Sequence, residues 1–355
     1  MKIQKISNEK KSETYISKRR GVHDKTTNFA TNFIKNSGGC MKKRLSILLV
    51  VILLFTIMTA CSTPQTNLIL ATGGTSGTYY PFGGAMAQIF NSKIENMNVT
   101  AQATGASVEN CKLLGKNEAE LAILQNDMLD YAYNGTEAFT EGKIENLRGI
   151  AKLYPEIIQI VATESIQSIE DLAGKKVSVG APGSGVEANA RQILEAAGLT
   201  YDDMSESYLS FSESADAYKD KHIDAFFVTS GIPNASIQDI SAMNPVSLVS
   251  LTDEAISSLI EKYPFFVEYT IPANTYSGQT NDVKTVAVLA TLATNAEASE
   301  DIVYNITKAL FENQSELATA HAKGAELKLN EAVNGISIPL HPGAEKYFKE
   351  VGVLK

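Results

Sequence analysis

Apolar runs of strand length alternate along this chain with stretches whose apolar residues recur at helical spacing. From Asn67 onward the pattern predicts strands over 68–72, 98–104, 120–125, 176–181, 207–211, 223–229, 246–251, 265–271 and 284–294. It predicts helices over 79–92, 106–116, 127–134, 168–173, 185–197, 212–221, 234–243, 252–262, 299–315 and 341–351. Such alternation implies an α/β fold with mostly parallel strands. Local punctuation agrees. Ser168-x-x-Asp171 reads as a capping box, and Gly174 ends the short helix it opens. Gly198 closes the helix begun at Gly185, and Ile302, Ile306 and Leu310 form a core-facing stripe.

One apolar run is of a different kind. Ile47 to Phe55 is uninterrupted, follows Met41-Lys42-Lys43-Arg44 and precedes Met58-Thr59-Ala60-Cys61. It is too short to cross a bilayer, and its flanks are those of a secretory signal. Small residues before Cys61 match a bacterial lipobox, although Leu is more usual where Met58 stands. Lipidation of Cys61 is the expectation, with ordinary secretion and cleavage near Ala60 as the alternative. Residues 1–40 are polar and basic, and Ser37–Cys40 can be a ribosome-binding site read in frame. They are expected to be a mis-assigned upstream extension, with 41–60 the signal peptide and 61–66 a tether. The mature chain is expected outside the cytoplasmic membrane, anchored to its outer face or periplasmic.

Composition narrows the classes. With 355 residues, 44% apolar and 20% charged, the chain can bury enough surface to offset its ordering entropy. Collagen-like, coiled-coil and multi-span membrane classes do not fit. The net charge of −9 hides an asymmetry: residues 1–60 hold 12 Lys and Arg against 3 Asp and Glu, and the remainder 19 against 37. So acidic a body has no whole-molecule attraction to nucleic acid, and no nucleic-acid partner is expected. A local site can still oppose that field and take a small anion. If Cys61 is lipidated, Cys111 is the remaining thiol of the mature chain and no internal disulfide can form. Cys111 shares a helical pattern with Val108 and Leu114 and reads as a buried structural thiol.

Four segments could hold a ligand. Gly73-Gly74-Thr75-Ser76-Gly77-Thr78-Tyr79 follows the first strand and opens a helix. Glycines let successive N–H groups face one concavity, and a helix start adds free donors and partial positive charge. A carboxylate fits there. Gly180-Ala181-Pro182-Gly183-Ser184-Gly185-Val186 repeats this logic; it lacks the Lys of a P-loop and the spacing of a dinucleotide fingerprint. An ordinary strand-to-helix turn is the plain alternative for each. Leu124-Gln125-Asn126-Asp127 and Phe227-Val228-Thr229-Ser230 end strands, where ligands of open α/β sheets bind. Asp127 alone reads as a helix cap. His222, His321 and His341 have no metal-ligand spacing, and no Gly-x-Ser-x-Gly elbow occurs, so no enzyme activity, cofactor or metal is expected. Arg148 and Arg191 are the arginines after the leader and leave few candidates for a carboxylate clamp.

The chain resembles TAXI-type solute-binding receptors of tripartite ATP-independent periplasmic (TRAP) transporters. The resemblance rests on Ala71–Gly84, Leu124–Gly135, Leu153-Tyr154-Pro155-Glu156, Val179–Leu199, Asp224–Asn234 and Ile338–Gly352, in order along the mature chain. It implies a two-lobed, Venus-flytrap fold of the type II periplasmic-binding-protein kind. Lobe one would comprise 66–161 and 284–355, and lobe two 162–283. It further implies a small organic acid or an amino acid such as glutamate as ligand, a TRAP-type permease as partner, a monomeric receptor and no arginine clamp. The ligand-binding residues carried over are Gly77, Thr78, Tyr79, Gln125, Asn126, Gly183, Ser184, Gly185, Thr229 and Ser230. Ser76 stands where Gly is common and Val186 where Thr is common, which leaves one hydroxyl fewer at the second loop. An ABC-type binding protein, a surface sensing or antigenic lipoprotein and a secreted enzyme are the alternatives.

Overall fold

The computed structural model describes residues 65–243 and 246–355; residues 1–64, with the expected signal segment, Cys61 and most of the expected tether, lie outside the described residues. The strands are β1 (Thr66–Ala71), β2 (Met97–Gln102), β3 (Leu121–Gln125), β4 (Leu147–Ala162), β5 (Lys176–Ser178), β6 (Ser205–Ser207), β7 (Ala225–Ser230), β8 (Ser247–Leu248), β9 (Val267–Ile271) and β10 (Val283–Asn295). The helices are α1 (Tyr79–Lys93), α2 (Ser107–Gly115), α3 (Asn126–Asn134), α4 (Gly185–Ala196), α5 (Phe211–Lys219), α6 (Ala235–Met243), α7 (Asp253–Lys262), α8 (Glu300–Glu312), α9 (Gln314–Ala320) and α10 (Pro342–Glu350). The expected α/β class is observed, but the strands are not mostly parallel: among the described residues five of the nine strand pairs are antiparallel.

Two long strands organise the sheet, whose order is β2-β1-β3-β10-β4-β7-β5-β6, with β8 on β4 and β9 on β10. Pairs among β1, β2 and β3, and among β5, β6 and β7, are parallel. Every pair made by β4 or β10 is antiparallel. β10 pairs with β9 over 283–287 and with β3 over 290–294, while β4 pairs with it over 287–295. β4 in turn pairs with β7 over 157–162. Each long strand therefore leaves one half of the sheet and enters the other.

Helices cover both faces, so the central strands are buried on both sides. On one face Leu70, Phe82, Phe90, Leu310 and Phe348 pack together, joining α1 to α8 and α10. Cys111, Leu124, Met128 and Phe139 fill the opposite face. In the other half, Ile160, Val179, Ile193 and Phe227 form one core, and Phe226, Val228 and Ile237 another. Ile306 and Leu310 are fully buried as the stripe predicts, and Ile302 packs against them from a partly buried position.

Four elements differ from expectation. β4 is the longest strand, and the apolar pattern predicts none there: Pro155 has no backbone N–H, and Arg148, Lys152 and Glu156 interrupt its apolar run. The helix expected at 168–173 is a single 3₁₀ turn, Glu170–Leu172, in which Asp171 Oδ2 accepts from the N–H of Gln167 (2.9 Å) and of Ser168 (3.0 Å). The strand expected at 207–211 ends at Ser207, because Ser210 and Glu213 form a capping box that opens α5. The helix expected at 299–315 breaks at Asn313 into α8 and α9.

Candidate ligand-binding cleft

A cleft of about 620 Å³, mouth included, opens beyond the C-terminal ends of β1, β2, β3, β5 and β7. That position is where open α/β sheets bind ligands. The starts of α1, α4 and α5 all reach its wall, through Thr78 and Tyr79, through Ser184 and Val186, and through Ser210 and Phe211. The first N–H groups of a helix have no partner within it and carry partial positive charge. α2 starts nearby but is different: the N–H groups of Val108 and Glu109 donate to Gly183 O at 3.1 and 3.2 Å.

Seven of the ten residues carried over from the sequence line this cleft. Gly77 N donates to Gly74 O at 2.9 Å and closes the first loop. Thr78 makes no side-chain capping bond. Tyr79 is buried, and its hydroxyl donates to Glu156 Oε2. Gln125 Nε2 donates to Asn189 Oδ1 (2.7 Å) and Asp127 Oδ1 (3.2 Å). Ser184 Oγ donates to Ala181 O (2.7 Å) and accepts from Glu187 N (3.4 Å), so it caps α4. Thr229 Oγ1 donates to Asn189 Oδ1 at 3.2 Å. Ser230 Oγ accepts from Asn234 Nδ2 at 3.2 Å.

The other three stand behind the wall. Asn126 donates to Gly335 O (3.1 Å) and accepts from Leu289 N (2.9 Å), fixing α3 to β10 and to the C-terminal segment. Gly183, at φ +76°, turns its carbonyl onto α2. Gly185 lies so close to the Gln125 side chain that any Cβ there would overlap it. Asp127 does more than cap: its Oδ1 accepts from Met128 N at 2.9 Å and its Oδ2 from Asn189 Nδ2 at 2.9 Å, tying α3 to α4. Gln192 Nε2 reaches Tyr131 OH at 3.2 Å in the same direction.

Thr104, Gly105, Ala106, Ser210 and Phe211 also line the cleft and have no site role in the sequence reading; Glu156 lines it too, from the Leu153–Glu156 segment that carries the resemblance, but is not among the ligand-binding residues carried over. Ser210 was legible as the start of Ser210-x-x-Glu213. Glu156 carried one signal, a charge inside an apolar strand. It is only 2% exposed, and burial pushes its carboxyl up to about 8, against the opposing pull of the Tyr79 hydrogen bond and the Lys323 charge. Burial likewise raises Asp127 to about 6 and holds the Tyr79 hydroxyl well above its usual range. Buried Cys111 is shifted upward for the same reason.

The lining contains hydroxyls, amides and helix starts but no Lys, Arg or His. Arg191 pairs with Glu137 (3.4 Å) and Glu187 (3.6 Å) outside it, and Arg148 holds the carbonyls of Glu145 and Leu147. His341 caps α10 by accepting from Gly343 N at 3.2 Å. Among the described residues no cluster of three or more His, Cys, Asp or Glu could hold a metal, and no helix is long and apolar enough to cross a membrane. The cleft can thus hold an anion by oriented dipoles, with one carboxyl in the wall.

Residues 70–352 match the model of the NMT1-like family. Among solved structures, the chain is similar to the periplasmic aliphatic sulphonate binding protein SsuA from Escherichia coli at 16% identity and a TM-score of 0.45, over 81% of this chain and 84% of that one. The alkanesulfonate-binding protein SsuA from Xanthomonas axonopodis pv. citri, bound to MOPS, is similar at 14% identity and a TM-score of 0.46, over 81% and 85%. An ancestral arginine-binding protein bound to arginine is similar at 15% identity and a TM-score of 0.41, over 74% and 99%.

Proposed function

Because the chain belongs to the NMT1-like family, we propose that it is an extracytoplasmic solute receptor. Its cleft binds a small carboxylate or an amino acid of the glutamate kind and delivers it to a TRAP-type permease. The observation that carries this reading is the convergence of three helix starts on one cleft without a cationic side chain in its lining, α1 with no side-chain cap and α4 and α5 each with one N–H taken by its capping serine. Such a wall attracts an anion through oriented dipoles rather than an ion pair. Lobe one (66–161 and 284–355) and lobe two (162–283) close over the ligand by bending β4 and β10. Only contacts made to both lobes can shift that equilibrium. Tyr79 and Gln125 would supply them from one side, Ser184 and Thr229 from the other. Cys61 would carry the lipid, and the tether to residue 66 would leave the receptor free to reach its permease.

Uptake into vesicles containing a TRAP permease tests the whole reading. Addition of this receptor should start solute entry driven by an ion gradient with no ATP present. Entry that requires ATP, or none at all with a ligand the receptor demonstrably binds, would reject the TRAP assignment.

A further inference from the structure

Glu156 puts a negative or proton-bearing group into a wall otherwise suited to an anion. Its Oε2 accepts from Tyr79 OH, and no described residue donates to Oε1. The groups around it are Tyr79 from α1, Tyr154 from β4, Asp127 from α3, and Lys323 from the turn 322–326. None offers a free cation: Lys323 is buried and its ammonium is held by Glu326 at 2.6 Å. Tyr79 joins the two kinds of chemistry in one residue. Its backbone begins α1, and its hydroxyl ends on Glu156. The cleft therefore presents helix-start donors and a carboxyl in the same wall. Where Glu156 is ionised a plain dianion meets it as a like charge in a poorly screened site, and where it is protonated the dianion gains no charged partner from it. A ligand with its own cation meets neither limit.

We propose that Glu156 is a subsite for a cationic nitrogen, so that the cleft selects ligands carrying both an acid group and an ammonium over the same acid without nitrogen. This rests on the cleft being the ligand site. The acid group lies on the starts of α1, α4 and α5, and the ammonium donates to Glu156 Oε1. Ionised Glu156 is then neutralised by the ligand. Since burial holds its carboxyl near 8, Glu156 is largely protonated at pH 7 with no cation against it, and an ammonium ligand displaces that proton to the buffer.

Calorimetry on the chain from residue 62 onward, at pH 7 in two buffers of different ionisation enthalpy, reads this directly. The probes are the twenty common L-amino acids, with 2-oxoglutarate, glutarate and succinate as nitrogen-free acids. The expected result is an amino acid that binds at least ten-fold more tightly than any nitrogen-free acid, with net proton release approaching one. Glu156→Gln, close in shape to the neutral carboxyl, should lose ten-fold or more for that amino acid and abolish the proton release. Nitrogen-free acids binding as tightly as the best amino acid, or proton uptake on binding, would overturn the subsite and leave the receptor reading standing. Silence from every probe would overturn both. If Glu156→Gln fails to fold, the proton count of the unaltered chain still decides.

Discussion

The two Gly-rich loops look alike in sequence and are used differently. In the first, Gly73, Gly74, Ser76, Gly77 and Thr78 all face the cleft, and Thr78 has no capping duty. In the second, only Ala181, Ser184 and Val186 do. Gly180 is held at φ +107° against Val186, Gly183 closes onto α2, and Gly185 packs on Gln125. The first loop is a free wall; the second is a fastener between the halves of the sheet. A helix start becomes a ligand site only where its donors are not already occupied by the protein.

That contrast can be broken at several points. The largest effect is expected from pH. Glu156, beside the first loop, is raised by burial from 4.5 to about 8, and Asp127, bonded to α4 behind the second, from 3.8 to about 6. Between the unfolded and folded values the unfolded chain has lost protons the folded chain keeps, so stability falls as pH rises through that window. Within it, each of the two groups costs about 1.4 kcal/mol for every tenfold fall in proton activity. Melting temperature should decline from about pH 5 to about pH 8, and Glu156→Gln should flatten the upper part of that decline.

Next comes Gly185→Ala, whose Cβ overlaps Gln125. It should separate the halves at the fastener, weaken ligand binding ten-fold or more and lower stability by about 1–3 kcal/mol, read by titration and by melting. Ser184→Ala should cost about 1 kcal/mol of stability through the lost α4 cap, with a smaller loss of affinity. Thr78→Ala should show the reverse balance: stability within about 0.5 kcal/mol of the parent and a measurable loss of affinity. Equal stability losses at Ser184 and Thr78 would erase the distinction between wall and fastener.

Much of the fold was legible because strands and helices alternate with clear periods and caps. Gly174 and Gly198 sit at φ +73° and +75°, where their helices were expected to end. β4 was hidden because Pro155 and three charges mask a strand that is buried mainly through long-range pairing with β10 and β7. The cleft was legible where loop chemistry is local, as at Gly77 and Thr78. It was not legible where contacts cross the sheet. Nothing near Asn189 in sequence announces its bonds to Asp127 and Gln125, 62 and 64 residues away. Glu156 was hidden for the related reason that its meaning depends on Tyr79, 77 residues earlier.

Everything proposed for this protein depends on whether the cleft takes a small zwitterion or acid. Melting of the ligand-free chain from residue 62 onward, against amino acids, dicarboxylates and 2-oxo acids, measures it most directly, since a ligand that binds only the folded state must raise the melting temperature. The prediction is a clear rise with one small acid or amino acid, reduced in Thr78→Ala and lost in Gly185→Ala. Flat traces across the panel, or a rise that both variants leave unchanged, would contradict it.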